Sequence, residues 1–264
     1  MKKLVFAALI AGSLLNVSCK KDPADAPTLP PSTSMDIDFS NFQEDGKTDS
    51  TAVDTTKFDH WGRAAIQAGV WNIVLTVNLA VPVLSFKEAF NHTPSYASKK
   101  EGWLWTYTVT NASGTYTAKL YGKIVGDSNE WRMLISKAGA FTDVEWYTGT
   151  SKNDNSGGSW KLNKNAFNVT EYLNIDWSRS GTKEEIKYTL VEAGIPEYGS
   201  YIEYGVDSSL TMDAFYNIYA AKENHSVDIK WNRTTKEGNV VEPAHYGDND
   251  PRCWDTSLHN TVCN

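Results

Sequence analysis

From Trp103 to Arg233 the chain repeats one kind of unit: a short run in which apolar or aromatic residues alternate with polar ones, closed by Gly, Asn, Asp or Ser. Trp103, Trp105, Tyr107 and Val109 alternate with Leu104, Thr106 and Thr108, and Asn111-Ala112-Ser113-Gly114 then makes a turn. A period of two marks a strand with one buried face, and such turns join strands into hairpins. Residues 116–125, 131–137, 141–148, 160–164, 172–178, 185–191, 201–206, 210–219 and 227–233 repeat the pattern. Crossover connections need a dozen or more residues, so the predicted sheet is an antiparallel, up-and-down meander of about ten or eleven strands. No segment copies another closely, which separates this meander from a propeller or a solenoid.

The segment before the meander reads differently. Thr56 and Asp59 have capping-box spacing, and Trp61, Ala64, Ala65, Ala68, Trp71 and Leu75 recur every three or four residues. A helix is predicted from near Phe58. Its apolar character extends nearly all round from Val70 to Leu84, yet Asn72, Asn78 and Pro82 interrupt it short of the roughly 20 residues a bilayer needs. The helix therefore belongs inside protein. Pro82 should kink or end it, with a second short helix running to Asn91 before Pro94. Helices are placed over about 58–92, and a first strand over 35–42, where Met35, Ile37 and Phe39 alternate with Asp36, Asp38 and Ser40.

An apolar helix cannot face water on most sides, and a flat meander would leave one face wet. A sheet that curls around the helix satisfies both, with strand twist supplying the curl. The predicted fold is mainly β (α+β), a half-barrel around an N-terminal helix. In outline it resembles bacterial periplasmic lipoprotein carriers, an architectural analogy without a shared motif.

The amino end carries an address. Lys2 and Lys3, an apolar stretch from Leu4 to Leu15, and the small residues Val17 and Ser18 precede Cys19. This is the composition of a secretory signal peptide over 1–18. The Leu15-Asn16-Val17-Ser18-Cys19 segment resembles a bacterial lipobox, with Asn16 where leucine is usual, and Cys19-Lys20-Lys21-Asp22 resembles the start of lipoproteins of Bacteroidota-type bacteria. That resemblance implies lipidation of Cys19 and display at the outer membrane or cell surface. Pro23, Pro27, Pro30 and Pro31 make 19–34 read as a disordered tether, leaving 35–264 as a single β-rich domain. Asp49-Ser50-Thr51 and Asp54-Thr55-Thr56 resemble acceptor sites for O-glycans in the same bacteria, at Ser50 and Thr55, and read equally as a solvated loop.

The net charge of −7, taken to about −9 when Lys2 and Lys3 leave with the leader, argues against nucleic acid as a partner. Cys253 and Cys263 are the cysteines left in an exported chain and are expected to pair. The short loop they close is worth about 2.5–3 kcal/mol in the chain-entropy model. The meander is expected to end near 243, with 244–264 stapled by this bridge.

Chemistry is harder to find. No Gly-x-Ser-x-Gly elbow, no phosphate-binding glycine loop and no His-Glu-x-x-His spacing occurs, so no cofactor, metal or nucleotide is expected. The polar tail from His245 to Asp255 lacks the spacing of a calcium loop and reads as a stapled turn. Asp143, Glu145, Glu171, Asp176, Glu203 and Asp213 are the carboxylates from which a hydrolytic pair would have to come. Most of the 10 tryptophans and 13 tyrosines read as core, and Trp146, Tyr147 and Trp160, beside the loop 151–158, are the aromatics to look for in an open groove. The expectation is a non-catalytic, membrane-anchored binding or structural module, taking an apolar ligand or a glycan chain; the alternative is a glycan-binding or glycan-degrading surface lipoprotein.

Overall fold

The computed structural model describes residues 25–43 and 59–263. Cys19, Ser50 and Thr55 lie outside them. The strands are β1 (Ser95–Ser98), β2 (Gly102–Asn111), β3 (Gly114–Val125), β4 (Ser128–Lys137), β5 (Phe141–Lys152), β6 (Gly157–Asn165) and β7 (Asn168–Ser180), then β8 (Lys183–Leu190), β9 (Tyr201–Asp207), β10 (Ala214–Ala220), β11 (His225–Trp231), β12 (Gly238–Val241), β13 (Arg252–Trp254) and β14 (Asn260–Thr261). They form one antiparallel sheet in strict sequence order, curled but not closed. Nine of the ten alternating segments lie almost wholly in strands; of 210–219 only 214–219 does, because Leu210–Asp213 belong to the loop before β10. The strands the pattern missed are short: β1, β12, β13 and β14, with 2–4 residues each, are too brief to show a period.

The inner face of the sheet is built from the alternating residues, such as Trp105 and Tyr107, Met133 and Ile135, Ile175 and Trp177, Ile229 and Trp231, all buried. Curling so many strands crowds that face, and glycine relieves it. Gly122 faces Trp131, Gly149 faces Trp160, Gly158 faces Trp177 and Gly238 faces Trp254 across neighbouring strands. In each pair a Cβ on the glycine would run into the indole, so the ring lies flat over the bare backbone. Glycine in a strand costs packing, and a large aromatic across from it restores the contact.

Two pieces of chain cross this concave face in opposite directions. Residues 25–43 run from β3, where Pro27 lies beside Gly122, to β11, where the Phe42 ring meets Trp231 at 4.9 Å. On the way the Trp160 indole donates to Ser34 Oγ (3.3 Å), and the Tyr216 hydroxyl to the Asp38 carbonyl (2.5 Å). Helix α1 (Asp59–Glu88) returns to β2, where the Tyr107 hydroxyl donates to the Ser85 carbonyl at 2.5 Å. Its buried side carries Trp61, Ala64, Ala68, Trp71, Leu75, Leu79 and Phe86.

Three expectations change. The strand foreseen at 35–42 is instead two 3-10 turns, Ser32–Met35 and Ser40–Phe42, joined by extended backbone. Met35, Ile37 and Phe39 are buried as the alternation requires, but they join the core through their side chains, Phe39 against Tyr216, and belong to no strand. The tether foreseen over 19–34 is shorter, since Pro27, Pro30 and Ser34 are already buried. Pro82 does not end the helix, which runs through it to Glu88 and closes with a 3-10 turn, Ala89–Asn91. Proline removes one donor from the ladder, and Pro82, itself buried, sits where packing on the sheet holds the helix on both sides of it.

Burial on this scale gives a testable alkaline limit. Burial, helped by the Asp38 charge, pushes the Tyr204 hydroxyl up to about 12, and burial pushes Tyr107, Tyr147, Tyr188 and Tyr216 above the usual tyrosine range. A raised folded value means that the folded state holds the proton more tightly. The stabilisation is whole below the unfolded value of about 10 and is lost as the pH climbs through about 12. In a titration at 295 nm these five should ionise only together with loss of the near-ultraviolet circular dichroism. Smooth ionisation of all 13 tyrosines around pH 10 with the dichroism intact would contradict this packing.

Candidate interaction surfaces

Trp146, Tyr147 and Trp160 line no groove. Tyr147 and Trp160 are fully buried and meet edge to face at 5.5 Å, and Trp160 packs against Phe86 of α1 at 5.1 Å. Trp146 is 8% exposed and lies against Phe141. Strict alternation would put the neighbours 146 and 147 on opposite faces. Met133 faces Tyr147 and Leu134 faces Glu145, so Trp146 is the extra residue of a bulge, and both rings can be buried.

The carboxylates do not converge in the concavity. Asp143 pairs with Lys119 at 2.8 Å, Glu171 with Lys161 at 3.5 Å and Asp213 with Arg233 at 2.9 Å. The bond from Lys119 holds Asp143 below the ordinary carboxylate range; burial pushes Asp213 up, but the Arg233 backbone and guanidinium more than offset this. Glu145, opposite Leu134, Asp176, between the buried Ile175 and Trp177, and Glu203, next to the buried Ile202, face outward.

Glu242 is the carboxylate that goes inside. It is fully buried at the end of β12, where Arg63 of α1 donates through Nε (2.6 Å) and Nη2, and Gln67 donates at 3.0 Å. His225 Nε2 lies 2.9 Å away but off the hydrogen-bond direction. Both α1 residues lie one turn apart on one side of the helix, which spacing alone could have shown; their partner, some 180 positions away, could not be seen. This cluster ties the start of α1 to the far edge of the sheet. Beside it Cys253 and Cys263 are joined, holding β14 against β13. In the adjoining tail, Arg252 pairs with Asp248 at 2.7 Å, and among the described residues no three His, Cys, Asp or Glu side chains are placed to hold a metal ion.

Besides a cleft of about 320 Å³ between residues 35–39 and α1, lined by Leu75, Leu79, Val83 and Tyr188, three surfaces are open among the described residues. A cleft of about 250 Å³ separates residues 33–38 from the rim of β7–β9, with Trp177 and Tyr204 on its walls and Asp36, Asp38, Arg179 and Arg233 around it. A shallow groove of about 410 Å³ crosses the outer face over β3–β6, where the Arg132 guanidinium stacks on Tyr121 and pairs with Glu101. The third is the side of α1 turned away from the sheet, where Ile66, Val70, Ile73 and Val77 are 59%, 55%, 67% and 74% exposed. Aliphatic side chains this exposed, in line and without a charge between Arg63 and Lys87, mark a contact surface. No family model matches the chain, and neither a curated protein nor a solved structure is significantly similar to it.

Proposed function

We propose that this chain is an exported lipoprotein, anchored through Cys19 at the outer membrane or cell surface, and that it acts without catalysis as a binding or structural module. One observation supports this above the others: the concavity that a carrier or an enzyme of this shape would use is occupied by the chain's own α1 and residues 25–43. The working surfaces are then exterior. Cys19→Ala should abolish incorporation of radiolabelled palmitate, and protease shaving of intact cells should release the domain if it is displayed at the surface and spare it if it faces the periplasm. Label that persists in the variant would place the acyl group elsewhere.

The glycan-binding reading draws on the rim cleft, whose aromatic walls and mixed acids and arginines suit a polyhydroxylated ligand. Asp38→Ala combined with Arg233→Ala should remove any glycan-array signal, and a signal unchanged in this variant would move the glycan site off the cleft.

A further inference from the structure

We propose that the exposed side of α1 is a lipid-contact face, by which the domain lies against an uncharged bilayer surface. This rests on the anchoring at Cys19 and adds a second, non-covalent contact. Ile66, Val70, Ile73 and Val77 follow one another at intervals of four, three and four residues, so they share one side of the helix. Gly62 and Gly69 have open space where a side chain would project, and residues 64–86 include no charged side chain. The opposite side is spent on the core.

The length of chain before the domain selects a membrane. The described chain begins at Asp25, six residues after Cys19, which is a reach of about 20 Å at full extension. It enters beside Gly122 on β3, next to β2, where the carboxyl end of α1 is docked through Ser85 and Tyr107. An acyl group at residue 19 therefore keeps that side of the domain close to the bilayer. Interfacial helices present this kind of aliphatic face.

A second copy fits less well. From Gly62 to Ala80 the stripe is about 27 Å long, and one helix side is about 10 Å wide. Two copies would bury about 500 Å², well under the roughly 1,200 Å² of a stable interface. A bilayer needs no complementary partner. Residues 44–58, the segment leading into α1, are too polar to cover four aliphatic side chains: Ala52, Val53 and Phe58 stand among four acids and two lysines. The net charge of about −9 without the leader points to zwitterionic rather than anionic lipid.

The test uses the mature chain carrying Cys19→Ser, so that no acyl group contributes, and phosphatidylcholine vesicles in a sedimentation assay. The protein should sediment with the vesicles, and Ile73→Asp with Val77→Asp should lower the bound fraction at least ten-fold while leaving the circular dichroism unchanged. A fluorophore on Val77→Cys, a position already exposed to solvent, should shift to the blue on adding vesicles, which reads the face without disturbing the fold. Absence of binding, binding to anionic vesicles alone, or binding unaffected by the two aspartates would overturn the proposal. So would a concentration-dependent dimer abolished by Ile73→Asp, which would assign the face to a second copy. Absence of palmitate label on the unsubstituted chain in cells, with vesicle binding retained, would sink the anchor and leave the face.

Discussion

Arg63→Ala is expected to destabilise the fold by about 3–5 kcal/mol, because it strands a carboxylate that has no route to water. Glu242 is fully buried, and the Arg63 guanidinium is its principal partner, bonded so closely that the guanidinium's own proton affinity is raised. The Gln67 amide and a misdirected His225 ring cannot replace a two-pronged cation. Glu242→Ala should cost less than Arg63→Ala, since the guanidinium left behind still reaches solvent. Arg63→Met with Glu242→Leu removes both charges and should recover most of the loss, as buried ion pairs often can be replaced by apolar residues of similar size. Denaturant unfolding followed by tryptophan fluorescence gives all three values. If Arg63→Ala lost less than about 1 kcal/mol, the contact would rank with surface salt bridges and the clamp would be no clamp.

Gly149→Ala is the second large effect. A single methyl there would collide with the indole of Trp160 and come 2.6 Å from the Ser159 carbonyl, which belongs to the adjoining strand. Neither can yield cheaply: Trp160 is fully buried between Phe86 and Tyr147, and the carbonyl belongs to the sheet backbone. The expected loss is about 3 kcal/mol, at the upper end for overpacking. Gly69→Ala provides the contrast. That glycine sits in α1 with open space around it, so alanine should stabilise by about 0.5–1 kcal/mol through helix propensity. Gly149→Ala with Trp160→Leu should regain part of the loss, because the smaller side chain makes room. A Gly149→Ala protein within 1 kcal/mol of the parent would show that the indole is not seated on the bare backbone.

What could be read beforehand divides along physical lines. Alternation reports which side chains are buried: it holds from Trp105 to Trp231 except at the Trp146 bulge, and again at Met35, Ile37 and Phe39. It does not report whether a backbone finds a partner strand, which is why 35–42 read as a strand although it packs only through its side chains. The bulge at Trp146 was hidden for the same reason, since one extra residue reverses every facing inference beyond it. Pro82 misled because propensity speaks for an isolated helix, whereas this helix is held on the sheet along most of its length. The glycine–tryptophan pairs were legible in principle, as they stand a hairpin apart, with 11 residues from Gly149 to Trp160. The Arg63–Glu242 clamp had no local signature, and the apolar stretch around Val70 gave no hint that half of it would stay uncovered.

The order of elements also sets a problem in time. Residues 25–43 and α1 precede every strand in the chain, so the insert is synthesised before its container exists. Each hairpin can then zip onto the one before it, because every strand bonds only to its sequence neighbours, but the amino end of the apolar helix has nothing to bind until the last turns of the sheet arrive with Glu242 and Trp254. Folding should therefore show fast hairpin formation and a late, cooperative docking step that truncation after β11 would eliminate, leaving a collapsed chain prone to clumping.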